Sequence, residues 1–343
     1  MSLEPDGGVE MMADGTTRDE RDRGPGMSGA TSRSPGCSFC NRSAVVFVRY
    51  SGRHLCAEHF NRFVLQRAQK EFRAQIRLPK KSVLVVAISG GKDSAVALDV
   101  TVRTFGTHRD KEIMAVTVDE GIEGYRPPSI SAAREFTERI GVDHHVFSFR
   151  ELYGATLDEI LSRPRELGAC SYCGVLRRQA INLAARKLGG DVVVTGLNLD
   201  DTAQGILMNI ARGDVERLAR MGPHTRVQRG LIPRVQPLRR IPEKETYLYA
   251  LLNRIPFYDG ECPYAVEAQR GLYREVINML EEASPGTRHA ILNTYDTIRP
   301  LLLEKYEQSH LRPCEICGEP TVDRVCRACS MLISLGLEPR RRD

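Results

Sequence analysis

The apolar and polar positions alternate between two regimes along most of the chain. The segment "KSVLVVAISGGKDSAVALDVTV" opens with a continuous apolar run, Val83 to Ile88, which predicts a strand. A Ser-Gly-Gly turn follows, and then a helical pattern. Farther on, "EIMAVTVDEGI" predicts a second strand that ends in acidic residues and glycine, "ISAAREFTERIG" a helix, and "HHVFSF" a third strand. "VLRRQAINLAARKLGG" predicts a helix closed by glycines, and "DVVVTGLNLDD" a fourth strand whose end carries Asp200 and Asp201. Strands that alternate with helices imply an α/β fold with a parallel sheet, whose ligands bind beyond the carboxyl ends of the strands. The turn after the first strand, Asp119, Cys170, Cys173 and Asp201 are thereby expected at one crevice.

The flanks depart from this pattern. Residues 1–35 are rich in Gly, Ser, Asp, Arg and Met and almost free of β-branched and aromatic residues, so they read as a disordered tail, with Met27 a candidate start. No run approaches the roughly 18 apolar residues of a membrane span, and the N-terminus lacks the apolar core of a secretory signal, so a cytosolic protein with no membrane partner is expected. At 343 residues, the length suggests one sizeable core with smaller modules. The net charge of +5 is compatible with an anionic partner without singling one out. Its distribution says more: in "RAQKEFRAQIRLPKK", Arg67, Lys70, Arg73 and Arg77 recur at helical spacing before Lys80 and Lys81. That stretch is either a solvated helix face or a phosphate-tracking surface.

The ten cysteines narrow the chemistry. In a cytosolic setting they point to metal or catalytic work rather than to structural disulfides. Cys37 and Cys40 are followed by Cys56 and His59, a C-x2-C-x15-C-x2-H pattern, and Cys314 and Cys317 are followed by Cys326 and Cys329 after eight residues. Each set offers four soft ligands in two close pairs, which suits tetrahedral zinc in a closed structural site. Cys170, Cys173 and Cys262 remain. Three thiolates can hold a 4Fe-4S cluster by three irons, a pair can serve as a redox dithiol or carry a persulfide, and buried cysteines can be inert. Spacing leaves these readings open.

The string SGGKDS carries the second chemical signal. Gly90 and Gly91 allow an anion to approach the backbone, the following helix offers unpaired N–H groups, and Lys92 adds a point charge. Asp93 stands where it can reach Mg2+, and Ser89 and Ser94 can hydrogen-bond phosphate oxygens. The string matches neither the Walker A pattern nor G-x-G-x-x-G.

SGGKDS resembles the PP-loop of ATP pyrophosphatases, which split ATP between the α- and β-phosphates. Together with "DEGIEGYR", "CSYCGVLRR", "TGLNLDDTAQGILMN", "ECPYA" and the flanking cysteine sets, it resembles the tRNA 2-thiouridine synthetases, from Cys37 to about Leu335. The resemblance implies a PP-loop ATP pyrophosphatase core flanked by two zinc modules. It divides the chain into a tail (1–35), a zinc finger (36–66), a basic helix and linker (67–81), a catalytic domain (82–310), a zinc ribbon (311–335) and a basic tail (336–343) that includes Arg340, Arg341 and Arg342. It implies an oxygen-sensitive 4Fe-4S cluster on Cys170, Cys173 and Cys262, two Zn2+ ions, and ATP with Mg2+ at Ser89, Gly90, Gly91, Lys92, Asp93, Ser94, Asp119 and Gly196.

The implied reaction joins the O2 of a tRNA uridine to AMP and then replaces it by sulfur. Lys92 compensates phosphate charge, Asp201 positions Mg2+ or the base, and Arg177 either neutralises the adenylate or sits in a surface ion pair. "CGVLRRQA", "LMNIARGDVERLAR" and "YAVEAQRGLYREVINMLE" are more similar to the branch that modifies the anticodon wobble uridine than to the T-loop branch. Sulfide and the thiocarboxylate of a ubiquitin-like protein are the candidate sulfur donors, and relatives are often dimers. Where many relatives read TGHN, this chain has TGLN, so Leu197 supplies no hydrogen bond or metal ligand. The competing readings are a T-loop thiolase, a PP-loop ligase or amidase acting on a small molecule, and a non-enzymatic zinc-ribbon RNA-binding adaptor.

Overall fold

A two-stranded hairpin begins the described structure. The computed structural model describes residues 35–225, 227–267, 270–306 and 310–339. Of the expected disordered tail only Pro35 falls among them; Met27 and the basic residues Arg340 to Arg342 lie outside the described residues. The hairpin pairs β1 (Val46–Val48) with β2 (Arg53–Leu55) antiparallel, and α1 (Ala57–Gln75) follows. The helix therefore starts well before the basic stretch and stops inside it. Ile76 is extended and Pro79 follows, so Arg77, Lys80 and Lys81 lie in non-helical chain. Phe60, Val64, Ala68 and Phe72 form the buried face of α1, at four-residue spacing.

The central layer is a five-stranded parallel sheet. It comprises β3 (Ser82–Ala87), β4 (Lys111–Asp119), β5 (Asp143–Ser148), β6 (Val192–Thr195) and β7 (Arg234–Val235), in the order β5-β4-β3-β6-β7. The sequence pattern predicts the first four. The fifth, only two residues long, leaves no periodicity to read and is held in place by pairing with β6. β3 is covered on both faces: Leu84, Val86 and Ile88 join one core cluster, and Val85 joins another on the opposite side. This is the expected environment for a central parallel strand.

The helices between strands are α2 (Lys92–Phe105), α3 (Arg126–Ile140), α4 (Phe149–Tyr153), α5 (Leu157–Leu161), α6 (Ala169–Lys187), α7 (Leu199–Ala211) and α8 (Val215–Ala219). After β7 come α9 (Glu243–Leu252), α10 (Arg270–Ala283) and α11 (Thr287–Lys305), then a second hairpin of β8 (Arg312–Pro313) and β9 (Pro320–Thr321), and α12 (Arg327–Ser334). α1, α2, α3 and α9 supply the core on one face of the sheet. α4, α5 and α6 supply it on the other, where Met331 and Leu332 of α12 pack into the same cluster as Leu176, Ala180 and Leu183 of α6.

Strand order reverses direction between β3 and β6. Chain leaving β3 turns toward β4 and β5, and chain leaving β6 turns toward β7, which opens a crevice at their carboxyl ends. The SGGKDS turn leaves β3 there, and the Asn198 to Asp201 turn leaves β6 beside it.

Candidate active site and metal centres

The phosphate loop is built by glycine at two positions where a side chain is excluded. Gly90 has φ +88°, and a Cβ there would lie 1.9 Å from the Ser129 carbonyl oxygen. A Cβ on Gly196 would meet the backbone of Asp93 and Ser94 at 2.7 Å, so Gly196 lets the β6 turn close against the start of α2. Gly91 is the N-cap of α2 and adds no side-chain cap, which leaves the first-turn N–H groups available to an anion. Ser94 Oγ donates to the Gly91 carbonyl at 2.8 Å and accepts from the Ser89 N–H at 3.0 Å, which fixes the turn.

Charge around the loop is balanced partly by Glu243 and Thr246, which the sequence pattern did not single out. Lys92 Nζ lies 2.7 Å from Glu243 Oε1 and 3.1 Å from Asp93 Oδ2. Burial works against its charge, but Asp93 and Glu243 outweigh it and hold the ammonium above its usual range. Thr246 donates to Asp93 Oδ1 at 2.5 Å. Asp201 is pushed up to about 6 by burial, with Arg270 opposing and Asp93 adding to the rise. Its carboxylate accepts from the Asn198 N–H at 3.3 Å while Asn198 Oδ1 accepts from the Asp201 N–H at 2.9 Å, a reciprocal cap on α7. Asp201 therefore has a structural duty besides any chemical one. Asp200 pairs with Arg288 at 2.6 Å and accepts from the Glu243 N–H, which anchors the start of α9 against α7. Asp119, at the end of β4, accepts from the Gly121 N–H at 2.9 Å. Leu197 is partly exposed at the rim.

The cysteine pair lies in the first turn of α6, which begins at Ala169, six residues earlier than the periodicity of "VLRRQA" suggests. Cys170 is exposed, Cys173 buried and Cys262 half-buried. Cys262 precedes a 3-10 turn, Pro263–Glu267, and packs against the cluster that contains Cys173 and Leu176. Burial raises the Cys262 thiol, and Cys170 adds to the rise. Burial dominates at Cys173, which is pushed up to about 11 although Arg177 Nη2 donates to its sulfur at 3.0 Å. A thiol so buried is a poor nucleophile by itself.

The two halves of the crevice are tied together through Glu120. This carboxylate, 2% exposed, is 2.7 Å from Arg126 Nε on one oxygen and 2.6 Å from Arg177 Nε on the other. Arg126, itself buried, donates to the Ser89 carbonyl at 3.0 Å. A continuous line of contacts thus runs from the phosphate loop through Arg126, Glu120 and Arg177 to Cys173. Glu120 and Arg126 lie within "DEGIEGYR", but their pairing depends on the bend between β4 and α3 and leaves no local signal.

Two further sets of ligands converge. The donor atoms of Cys37, Cys40, Cys56 and His59 all lie within 4.8 Å of one another, as do those of Cys314, Cys317, Cys326 and Cys329. Four soft donors drawn together around a point fit a single tetrahedral ion. Among the described residues, Cys170, Cys173 and Cys262 do not gather this closely. All ten cysteines are free. The C-terminal set is seated on α6: Gln179 Nε2 lies 3.5 Å from Cys326 Sγ, and Arg186 pairs with Glu319.

Of the basic residues flagged in the sequence, Arg67 is committed to the interior, paired with Glu245 at 2.7 Å and with the Tyr50 hydroxyl at 2.6 Å. Lys70, Arg73, Arg77, Lys80 and Lys81 are exposed.

Comparison with known proteins agrees with this architecture. The PP-loop domain family matches residues 62–280, and the N-terminal LIM domain of the 2-thiouridine synthetase TtuA matches residues 37–61. A tRNA 2-thiolation protein NcsA of Haloferax volcanii is 38% identical over 316 residues, covering 87% of this chain and 98% of the relative. A tRNA-5-methyluridine(54) 2-sulfurtransferase of Thermus thermophilus is 36% identical, covering 86% of this chain and 90% of the relative. The solved structure of the U34-tRNA thiolase NcsA from Methanococcus maripaludis, with its [4Fe-4S] cluster, superposes with a TM-score of 0.78 at 30% identity, covering 90% of this chain and 99% of that one. The chain belongs to the PP-loop tRNA 2-thiolation family represented by these proteins.

Proposed function

We propose that this chain is an ATP-dependent tRNA sulfurtransferase that converts a uridine to 2-thiouridine at the wobble position of the anticodon. The observation that carries the reading is the line of contacts that joins the phosphate loop, through Arg126, Glu120 and Arg177, to Cys173 beside the switch point of the sheet. A small-molecule ligase would use the loop without the cysteine, and an RNA-binding adaptor would need neither. The wobble assignment rests on the resemblance of "CGVLRRQA" and "LMNIARGDVERLAR" and on similarity to the NcsA relatives; comparable identity to a relative acting on uridine 54 makes the T-loop the competing assignment.

In the proposed reaction the loop N–H groups of α2 and Lys92 receive the ATP phosphates, and Lys92 exchanges a carboxylate partner for phosphate oxygen. Asp93, Asp119 and Asp201 are the carboxylates proposed to hold Mg2+, with Glu243 and Thr246 orienting Lys92 and Asp93. The uridine O2 attacks the α-phosphorus, the bond to pyrophosphate breaks, and the base leaves as an O-adenylate. Sulfur then adds at C2 and AMP departs with the former O2. A 4Fe-4S cluster held by Cys170, Cys173 and Cys262 supplies, when bound, an iron with an open position for a sulfur ligand. Arg177, held by Glu120, keeps a positive charge beside the thiolates and the departing AMP. Sulfide or the thiocarboxylate of a ubiquitin-like protein supplies the sulfur, in a cytosolic setting. No helix among the described residues is long and apolar enough to cross a membrane. A second copy of the chain is a further proposed partner.

The test is nucleoside mass spectrometry of tRNA from a strain lacking the protein. Loss of the 2-thio group from anticodon wobble fragments is expected; loss confined to T-loop fragments would move the assignment to position 54, and no loss from any tRNA would refute the reading.

The cysteine sets at 37–59 and 314–329 are proposed as structural zinc sites of the two flanking modules, 36–66 and 311–335. Metal analysis should give two zinc ions per chain. Cys314→Ser should lower the midpoint of thermal unfolding by about 5 °C or more, because it opens a site seated on the core helix α6. Folded protein free of zinc would refute the assignment.

A further inference from the structure

On the side of the sheet beyond β7, a cleft of about 1020 Å3 opens between α1, α11, the 220–225 segment and the chain entering α9. It is separate from the phosphate loop and from the three cysteines, and no step described above uses it. Its lining carries six cationic side chains, among them Arg67, Lys70, Arg239, Arg240 and Arg299, against two carboxylates, Glu71 and Asp296.

Internal pairing accounts for part of this charge. Arg239 and Arg240 both reach Asp296 at 2.5 Å, Arg240 also reaches Glu71 at 3.1 Å, and Arg67 is paired with Glu245. Donors are nevertheless left over. Arg239 is 4% exposed, and its Nε has no hydrogen-bond partner; neither does the buried Nε of Arg299, whose Nη2 donates to the Pro223 carbonyl at 3.1 Å. The two guanidinium groups converge on Gly222. With φ +97° and no side chain, it leaves a point that a Cβ would occupy 3.6 Å from Arg299 and 3.8 Å from Arg239. Like charges drawn together in a partly buried place, with donors unsatisfied, are costly unless an anion joins them. His289, on the same wall, is held down to about 4 by burial and by Arg67 beside it, so at neutral pH the ring adds no charge of its own.

We propose that this cleft is a second anion site, which takes a phosphate of the RNA substrate's backbone away from the reacting base. The guanidinium fork suits phosphate oxygens, and the volume admits a whole nucleotide unit where a lone phosphate would need far less. Lys70, exposed on α1, stands at the mouth, and Arg73 and Arg77 continue the positive charge along the same stretch of chain. The basic stretch is thus divided in role: Arg67 braces the cleft wall, and Lys70 meets the ligand.

The proposal rests on the tRNA reading above, and its test separates the two. Binding of full-length tRNA transcript to the metal-loaded protein is measured by fluorescence anisotropy across a salt series. Lys70→Ala, a surface change that leaves the fold intact, and the double variant with Arg299→Gln are compared with wild type. Phosphate and pyrophosphate binding are measured in parallel by calorimetry. Expected are an affinity loss of about threefold for the single variant and about tenfold for the double, with the salt slope reduced by about one to two, since each phosphate contact contributes a little under one. AMP formation at saturating tRNA is expected to be unchanged. Wild-type affinity and slope in both variants would overturn the cleft proposal while the functional reading stands. Loss of inorganic phosphate binding with tRNA binding intact would overturn the RNA backbone as its source. A wild-type protein that binds no tRNA would sink the functional reading itself.

Discussion

Alanine at Cys170, Cys173 or Cys262 is expected to abolish thiolation in each case, by about two orders of magnitude or more, while tRNA binding stays near wild type. The size follows from the ligand count. With three protein ligands for one cluster, removing any one leaves an iron without its thiolate, whereas loss of a mere orienting contact costs about 10- to 100-fold. The structure makes the three changes unequal in other respects, which sharpens the test. Cys170 is exposed and Cys173 buried, so stability should suffer little from the first and measurably from the second. If thiolation falls equally in both, ligation and not packing sets the effect. Near-normal activity of anaerobically purified Cys262→Ala would overturn the three-ligand proposal and leave a two-cysteine chemistry.

Lys92→Ala and Asp93→Ala should each stop adenylation, with AMP and pyrophosphate formation falling by about a hundredfold to a thousandfold, while the cluster's visible absorbance survives. Lys92 is the loop's own cation, and it is held there by Glu243 and Asp93. Products identified as ADP and phosphate in the wild-type protein would refute the PP-loop mechanism, because activation of O2 requires transfer of the adenylyl group. Glu243→Gln provides an internal comparison. It leaves Lys92 in place with one fewer carboxylate, so its effect on AMP formation should be smaller than that of Lys92→Ala.

The parallel sheet and the phosphate loop were legible because each rests on local pattern: a six-residue apolar run, Val83 to Ile88, and a turn that only glycine can make. The convergence of the two four-residue sets was legible for the same reason, since each is written in the chain as two close pairs. What the sequence withheld was pairing at a distance. Glu243 is far from Lys92 along the chain, Glu120 joins two arginines from different helices, and neither contact has any period. The start of α6 was placed too late because "GACSYCG" offers two glycines and no apolar spacing; the helix forms there because packing of Tyr172, Cys173 and Leu176 overrides weak propensity. Arg67 illustrates the opposite error. Helical spacing on a basic stretch suggests a free face, yet burial against Glu245 and Tyr50 removed that arginine from the surface.

The seating of the C-terminal cysteine set on α6 bears on the order in which the protein can be made. α6 carries two of the three proposed cluster cysteines near its N-terminus and meets Cys326 and Met331 along its middle, so its outer face is covered by chain that emerges from the ribosome long after the helix itself. Because domains form from the N-terminus onward during synthesis, the sheet can close around the phosphate loop while α6 still presents Ala180 and Leu183 to water. Glu243 and Thr246, which hold Lys92 and Asp93, emerge close to Cys262, so the two halves of the crevice are completed together and the C-terminal set arrives last. A chain that ends before residue 312 is expected to keep the phosphate loop and all three cysteines of the crevice while leaving bare the part of α6 that the C-terminal set covers.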